Sequence, residues 1–380
     1  MRPAIQASFE DYRLLAKRRL PRALFDYIDG GSYAELTLAR NVHDFQQVTL
    51  RQRVMRDMSS VDTDIELFGH RLSMPVILGP VGFAGMYARR GEVQAARAAA
   101  RVGTAFCLST VSICPIEEVC EVAPPWFQLY AIKDRNYMRD ILRRARECGS
   151  RVLVFTVDLP TPAGRYRDLR SGMMGKPGMR SWTRQVAGGL SRPAWLMDVW
   201  LSGRPLGFGN LPSEVQRSGR FAEAWDWIRN NFDATITWAD LAFVRENWEG
   251  PIVIKGILDV DDAKEALAAG ADGIVVSNHG GRQLDGVRSS VSALAPIVSA
   301  VAGRVPVLMD GGVRSGTDVL KALALGADSV LLGRAWSFAL AAKGEAGVHQ
   351  MLETFRQELR TAMILTGCRH VREAGRHLLD

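Results

Sequence analysis

The chain has 380 residues, of which 47% are hydrophobic and 23% are charged. This length and composition suffice for a full hydrophobic core and are typical of an ordered globular protein, which excludes a disordered chain. The five cysteines contain no CxxC pair, and they are Cys107, Cys114, Cys120, Cys148 and Cys368. Their odd number and spacing argue against a disulfide framework or a zinc site and indicate a reducing compartment.

The net charge of +7 is concentrated in one segment. Residues 163–220 contain ten Lys and Arg but only three acidic residues, so this segment alone accounts for the excess of the whole chain. Nucleic acid, an anionic membrane surface or an acidic partner could each explain such a segment.

The N-terminus alternates charged and apolar residues, which is not typical of a secretory signal. The longest uncharged apolar stretch, 74–88, is interrupted by two prolines and three glycines. It is also shorter than the roughly 18–20 residues that a membrane-spanning helix needs. We therefore expect a soluble or surface-bound protein rather than an integral membrane protein.

Residues 1–70 are expected to form an N-terminal extension that opens with an amphipathic helix capped by Ser8. After it, short runs rich in Val, Ile and Leu alternate with segments of helical period such as 91–101, 134–147 and 259–269. The predicted strands are 74–80, 104–109, 126–130, 152–158, 252–256, 273–278, 305–311 and 329–333. Eight strands alternating with helices predict an α/β fold, a (β/α)8 TIM barrel, as a single domain over 1–380.

A barrel takes roughly 250 residues, so part of the chain must be additional. Besides the extension, a stretch rich in Gly, Pro and Trp follows the fourth strand over 161–233. We expect this insertion to be irregular. So long a connection is usually functional or mobile, and this one leaves the barrel at the face where active sites lie.

Polar residues stand at the ends of the predicted strands, where barrel enzymes place their active sites. Gln128 and Tyr130 end the third strand, Thr156 and Asp158 the fourth, and Lys255 the fifth. The last three strands open into the stretches 277–285, 310–316 and 333–334. We expect these groups to meet at one rim.

The turns after strands seven and eight resemble a phosphate site. Gly311 and Gly312 let backbone N–H groups approach an anion, and the next helix N-terminus adds its dipole. Arg314 and Arg334 can add bidentate charge. The alternative is an ordinary Gly-rich turn with solvated arginines.

His279 is the histidine that shares the rim with ionisable groups; the other five are assigned to packing or capping. A histidine base needs a carboxylate that orients it and stabilises its protonated form, and Asp158 is the candidate. Arg282 suits the bidentate grip of a substrate carboxylate. Lys255 ends an otherwise apolar strand, so its ammonium group must serve something anionic. A structural ion pair with Asp158 is the other possibility.

Four motifs lie at these strand ends: QLY at 128–130, TVD at 156–158, SNHGGRQLD at 277–285 and DGGVRSG at 310–316. Together they resemble the FMN-dependent 2-hydroxy acid dehydrogenase/oxidase family, and the resemblance extends from about Tyr12 to the C-terminal region. Further stretches resemble its branch of membrane-associated, quinone-linked bacterial L-lactate dehydrogenases. They are DYIDGGSYAE at 26–35, MYARRGEVQAA at 86–96, LSTVSICPIEEV at 108–119 and TVDLPTPAGRYRD at 156–168.

The resemblance implies FMN as the cofactor, no metal, and roles for individual residues. His279 would be the base, paired with Asp158, and Arg282, Tyr130 and Lys255 would complete the catalytic set. Tyr27, Tyr130, Arg165 and Arg282 would bind the substrate, with Arg167 as a rival to Arg165. The flavin and its phosphate would contact Pro80, Val81, Gly82, Ser109, Gln128, Thr156, Lys255, Ser277, Asp310, Gly311, Gly312, Arg314, Gly333 and Arg334.

The expected reaction is the oxidation of a small L-2-hydroxy acid, with L-lactate giving pyruvate as the first candidate. His279 would take either the α-hydrogen as a proton, leaving a carbanion, or the hydroxyl proton while hydride passes to flavin N5; the residues do not separate these routes. The electrons would pass to a quinone. The alternative is an oxidase that uses oxygen, or an enzyme for substrates like mandelate or glycolate.

The basic segment 163–220, with Trp182, Trp195 and Trp200, suits docking on anionic lipid near a quinone. Packing against a neighbouring subunit is the other possibility. The expected location is therefore peripheral, on the cytoplasmic side of the inner membrane, or cytoplasmic. By analogy with the family we expect a homo-oligomer, commonly a tetramer.

Other classes explain the residues less well. IMP-dehydrogenase-like barrels share the Gly-Gly phosphate turn but rely on a loop cysteine, and type 2 isopentenyl diphosphate isomerases do not need His279 with Arg282. A nucleic-acid binder or flavin-binding scaffold would explain the charge but leave His279, Asp158 and Lys255 without purpose. No nucleic-acid partner is expected.

Overall fold

A computed structural model describes residues 6–173, 179–217 and 221–380 of the chain. Its centre is a closed barrel of eight parallel strands. The strands are β3 (Val76–Leu78), β4 (Ala105–Ser109), β5 (Trp126–Tyr130), β6 (Leu153–Thr156), β7 (Ile252–Ile257), β8 (Gly273–Val276), β9 (Val307–Asp310) and β10 (Ser329–Leu332). Neighbours pair in chain order, and β10 closes the barrel on β3. All eight predicted strands and the (β/α)8 fold are thus confirmed.

Each strand has both faces covered, with the barrel interior on one side and helices on the other. Ile252, Val253 and Ile254 of β7 are almost completely buried, and β8 and β10 show the same pattern. Such continuous runs of branched apolar residues are typical of parallel strands. The parallel register brings all C-terminal strand ends to one rim.

Helices surround the barrel and fill the connections. They are α1 (Phe9–Arg19), α2 (Arg22–Asp29), α3 (Leu36–Gln47), α4 (Gly91–Val102), α5 (Ile116–Cys120), α6 (Arg135–Glu147), α7 (Tyr166–Ser171), α8 (Met179–Leu190), α9 (Pro193–Trp195), α10 (Ser213–Arg217), α11 (Phe221–Asn231), α12 (Asp240–Glu246), α13 (Val260–Ala268), α14 (Ser290–Val301), α15 (Gly316–Ala324) and α16 (Arg334–Thr366). Non-helical dihedral angles at Gly344 divide α16 into two helices. Within the described ranges, no helix is both long and apolar enough to cross a bilayer.

The N-terminal extension covers one side of the rim. Ser8 caps α1 as predicted: its hydroxyl accepts from the backbone N–H of Asp11, whose side chain accepts from the Ser8 N–H in return. The ring of Phe9 then packs edge-on against Phe338 of α16, with ring centres 5.5 Å apart. A small hairpin, β1 (Ile65–Leu67) with β2 (His70–Leu72), completes the extension.

The expectation of an irregular insertion over 161–233 was wrong. The described part of this segment contains α7 to α11 and a π-helical stretch, Leu196–Leu201. Trp225, Ile228 and Phe232 recur at helical spacing, and this apolar face of α11, continued by Phe232 directly after the helix, packs on the hydrophobic core. Backbone contacts also hold the insertion: the indole N–H of Trp195 donates to the Met86 carbonyl over 2.8 Å. Lys176 and Arg220 of the basic segment lie outside the described residues.

Candidate functional site

A cavity opens at the C-terminal rim of the barrel. Of the residues predicted for the site, it is lined by Tyr27, Pro80, Val81, Gly82, Gln128, Tyr130, Thr156, Arg165, Lys255, His279, Arg282, Asp310, Gly311, Gly312, Arg314, Gly333 and Arg334. Asp158, Ser109 and Ser277 stand behind this lining and contact its members. Barrel closure therefore brings together groups that lie up to 307 positions apart in the sequence, from Tyr27 to Arg334.

His279 and Asp158 form a direct pair. The imidazole Nδ1 lies 2.8 Å from the Asp158 Oδ1 atom. Burial raises the pKa of the Asp158 carboxyl, but the charges of His279 and Lys255 outweigh burial, so its pKa lies below the ordinary value. Asp158 is therefore ionised at neutral pH. Because it occupies Nδ1, it leaves Nε2 as the imidazole nitrogen free to exchange a proton with a ligand.

Backbone geometry permits this pair. His279 has a left-handed φ of 57°, which turns it out of the strand direction directly after β8. Gly256 of β7 has a φ of 114°, and a Cβ there would lie 2.5 Å from the Asp158 Cβ. Any side chain at position 256 would displace the carboxylate.

Lys255 has a different partner from the one weighed in the sequence. Its Nζ lies 2.9 Å from the Asp310 Oδ2 atom and donates to the Ser277 hydroxyl over 3.0 Å, so the ion pair is with Asp310 rather than with Asp158. Burial lowers the pKa of Lys255, but the two carboxylates Asp310 and Asp158 raise it above its ordinary value. Lys255 is thus a fixed cation at the base of the cavity. Ser277 also accepts from the His279 backbone N–H over 3.0 Å, which connects the lysine to the histidine loop.

Two arginines approach the His279 side of the cavity over the ring of Tyr27. The guanidinium carbon of Arg282 lies 4.7 Å from the ring centre and that of Arg165 lies 5.5 Å from it. Arg282 is held by the carbonyls of Tyr27 and Gly30, and Arg165 by the carboxylate of Asp168 at 3.3 Å. Burial and the charge of Arg282 lower the pKa of Arg165.

Arg167, the rival of Arg165, points elsewhere. It forms ion pairs with Asp29 at 2.7 Å and Glu35 at 2.5 Å. It lines a second cavity rather than the one at the barrel rim. The geometry therefore favours Arg165.

The turns after β9 and β10 have the features of an anion site. Gly311 and Gly312 adopt φ angles of 88° and 92°, and a Cβ at Gly312 would lie 2.2 Å from the Asn41 carbonyl oxygen. Burial lowers the pKa of Arg314 to about 10. The pKa of Arg334 is lowered well below its ordinary value by burial and by the charges of Arg282 and Arg314. Cations held this close together favour an anion between them.

Several polar atoms at the cavity have no partner within the described residues. They include the donors Gln128 Nε2, Thr156 Oγ1 and Arg165 Nε, all buried. Gln128 is held from behind by Ser109, whose hydroxyl donates to its Oε1 over 3.1 Å. Buried donors are almost always satisfied in proteins, so these groups indicate a ligand rich in acceptor atoms.

Sequence reasoning missed one wall of the cavity. Trp225 and Ile228 of α11 and Phe232, which directly follows this helix, line it together with Phe83. The signal was present as helical spacing of apolar residues within the insertion, but the expectation of an irregular segment hid it. These side chains exclude water from the space in front of His279.

A protein-family comparison matches residues 16–380 to a family described as FMN-dependent dehydrogenase. Among curated proteins, the L-lactate dehydrogenase of Haemophilus influenzae (strain PittEE) is 55% identical over 369 residues, which is 97% of this chain and 96% of the Haemophilus chain. The L-lactate dehydrogenase of Caulobacter vibrioides (strain NA1000 / CB15N) is 53% identical over 377 residues, 99% of this chain and 98% of the other.

Solved structures agree with this match. The monotopic membrane protein (S)-mandelate dehydrogenase superposes with a TM-score of 0.92 at 34% identity, covering 99% of both chains. Mandelate oxidase superposes with a TM-score of 0.83 at 38% identity, covering 99% of this chain and 98% of the other.

The Lys255 ion pair allows a prediction about stability. We expect Lys255→Met to lower the free energy of unfolding at pH 8 by about 3–5 kcal/mol, because Asp310 would remain buried without its cation. The loss should be smaller at pH 5. Lys255 and His279 both lower the pKa of Asp158, so without Lys255 this pKa lies higher than in the native protein; Asp158 then takes up a proton more readily in acid, which relieves part of the cost.

Urea unfolding of both proteins at the two pH values measures the effect. Lys264→Met is the control, because its pair with Asp261 is exposed and should contribute about 0–1 kcal/mol. Equal losses for the two variants would contradict the prediction.

Proposed function

The chain belongs to the family of FMN-dependent dehydrogenases, and from that membership we propose that it oxidises L-lactate to pyruvate and passes the electrons to a quinone. The observation that carries the proposal is the His279–Asp158 pair facing two guanidinium groups in one cavity. It provides a base for the substrate's proton and cations for its carboxylate. The relatives named L-lactate dehydrogenase, at 53% and 55% identity, support lactate as the substrate.

The cavity fits FMN. Gly311, Gly312, Arg314, Gly333 and Arg334 would hold its phosphate, where the cations and the open glycine turn favour an anion. The unpartnered donors Gln128 Nε2 and Thr156 Oγ1 would face the acceptor atoms of the ring, beside the Pro80–Gly82 backbone. Bound FMN supplies the capacity to accept a pair of electrons. Lys255 would hold a fixed positive charge beside the bound group.

His279 handles the proton. Asp158 fixes the ring through Nδ1, so Nε2 takes the proton that leaves the substrate. The low pKa of Asp158 keeps it anionic and thereby stabilises the imidazolium that results. Placement of a general base contributes about 10²–10⁴-fold to the rate.

Arg282 and Arg165 would bind the substrate carboxylate. Both stand over Tyr27, and the partly satisfied fork of Arg165 still has an unpartnered Nε. Tyr130 also lines the cavity, and burial raises its pKa, so its hydroxyl keeps its proton and can donate to the substrate. A larger 2-hydroxy acid such as mandelate is the second candidate, because both solved relatives above act on that compound by name.

The direct test is flavin reduction. We expect purified protein to be yellow and to bleach without oxygen when L-lactate is added. His279→Gln should retain bound FMN but reduce it more slowly by about 10²-fold or more, since the variant loses its general base. Stopped-flow absorbance measures both rates. Bleaching by mandelate but not by lactate would replace the substrate, and an unchanged rate in His279→Gln would remove the base from the proposal.

The two guanidinium assignments can be separated by substitution. Arg282→Lys should lose bidentate geometry and lower kcat/KM for L-lactate by about tenfold or more, because charge-assisted bidentate bonds contribute about 1.5–3 kcal/mol. Arg165→Met should also raise KM for lactate. Arg167→Met is the control, because Arg167 pairs with Asp29 and Glu35 and does not line the active-site cavity. If Arg167→Met affects KM and Arg165→Met does not, the two roles must be exchanged.

We also propose that the insertion docks on the cytoplasmic face of the inner membrane. Leu190, Met197, Trp200 and Leu201 are exposed large apolar residues of this segment, close in sequence to Arg192 and Arg204. Trp195 is buried instead, and the side chain of Trp182 lies outside the described residues. A homo-oligomer stays a prediction.

Docking predicts binding to anionic vesicles. The double variant Trp200→Ser with Leu201→Ser should co-sediment less with phosphatidylglycerol vesicles than the native protein, because it loses apolar area that would enter the lipid. Leu36→Ser with Leu284→Ser, exposed residues outside the insertion, is the control. Equal bound fractions for both variants would end the membrane proposal.

A further inference from the structure

A second cavity lies beside the active site. It has a volume of about 1940 Å³ and is enclosed by α2, α7 and the helices of the insertion. Leu24, Met86, Trp195, Leu196 and Phe208 are among its lining residues. The lactate anion is far smaller than this mainly apolar space, and none of the residues proposed above for FMN or substrate lines it.

Packed aromatic rings lie between the two cavities. Phe208 lines the second cavity, and its ring centre lies 4.9 Å from that of Phe83, which lines the active site. Phe83 in turn lies 5.0 Å from the ring of Tyr27 beneath the arginines. In α11, consecutive residues divide between the spaces: Ala224 lines the second cavity and Trp225 the active site. Whatever occupies the second cavity is therefore next to the active-site cavity.

We propose that this second cavity binds the quinone acceptor, with its ring against the Phe208 wall and its isoprenoid tail along the apolar lining. The inference deepens the proposed function and rests on it for the supply of electrons. Drug-sized ligands occupy about 300–1,000 Å³, so the cavity has room for a quinone ring and several isoprenoid units. Its outer lining includes the exposed Leu190 and Trp200, which belong to the surface proposed to meet lipid, where such acceptors are dissolved.

The chemistry balances without another reactant. Oxidation of L-lactate breaks the Cα–H and O–H bonds, forms the C=O bond of pyruvate, and releases a pair of electrons and a pair of protons. The quinone takes up both pairs and becomes the quinol. A phospholipid acyl chain would fit the same apolar lining. An acyl chain accepts no electrons, however, so it has no need to lie next to the active site. We therefore argue for the quinone as the occupant.

Gly188 provides a way to fill the cavity. It lines this space, and a Cβ built there meets no atom within 4 Å. Gly188→Phe should therefore insert a ring without a clash. Ala187→Phe adds the same ring at the adjacent exposed position of α8 and is the matched control. Both variants should retain FMN and reduce ferricyanide with L-lactate at the native rate, because neither position touches the active site.

The decisive readout is preference for a tail. In detergent solution, kcat/KM is measured for a benzoquinone with a decyl chain and for the same ring without one. Gly188→Phe should lower the ratio of these values by about tenfold or more, because burial of a few methylene groups is worth at least that factor. Ala187→Phe should leave the ratio unchanged. An unchanged ratio in Gly188→Phe overturns the proposal, and so does a variant that loses only vesicle binding, which would assign the cavity to a lipid.

Failure of the proposed lactate oxidation can be distinguished from failure of the proposed quinone site. If the native protein reduced no dye with L-lactate, the lactate assignment would fail, yet the cavity could still be tested by binding alone. Quenching of tryptophan fluorescence by the decyl quinone should then be saturable in the native protein and in Ala187→Phe, because Trp195 and Trp200 line the space. If the decyl quinone quenched the native protein and Gly188→Phe equally, the proposal that this cavity binds the quinone would be overturned.

Discussion

The burial of several cations at one rim of the barrel is the constraint on which the site depends. Lys255, Arg165, Arg282, Arg314 and Arg334 all line one cavity, and the carboxylates nearest to them are already engaged. Asp310 pairs with Lys255, Asp168 with Arg165 and Asp158 with His279. Burial lowers the pKa values of Arg165, Arg314 and Arg334, and the charge of Arg282 lowers those of Arg165 and Arg334 further. A phosphate at one end and a carboxylate at the other would offset this buried positive charge, which is what a flavin nucleotide and a 2-hydroxy acid bring.

Groups of the N-terminal extension hold arginines at and near the rim in position. Asp29 is buried and binds both Arg13 of α1 and Arg167 of α7. Arg334 donates to the carbonyls of Ile28 and Gly30, so the end of α2 positions an arginine that lies 304 residues beyond Gly30. The N-terminal extension is therefore part of the site: it supplies Tyr27 and the carbonyl groups that orient two of the arginines.

The insertion lines both the active-site cavity and the second cavity. Its helix α11 presents Trp225 to the active site and Ala224 to the second cavity, and Phe208 separates the two. One segment can thus keep water from the reacting atoms, carry an apolar surface and provide a place for an apolar acceptor. Arg165, which lies near the start of this segment, also lines the active-site cavity.

The sequence by itself determined the strands, the Ser8 cap and the set of residues at the rim. Runs of branched apolar residues have few other uses than buried parallel strands, and polar groups at their ends must meet once the barrel closes. Only the tertiary structure decided the partner of Lys255, the position of Arg165 rather than Arg167 in the rim cavity, and the helices of the insertion. Those outcomes depend on which side chains become neighbours when the chain folds. That is set by the strand register and by close approaches such as Gly256 to Asp158, which separation along the chain does not encode.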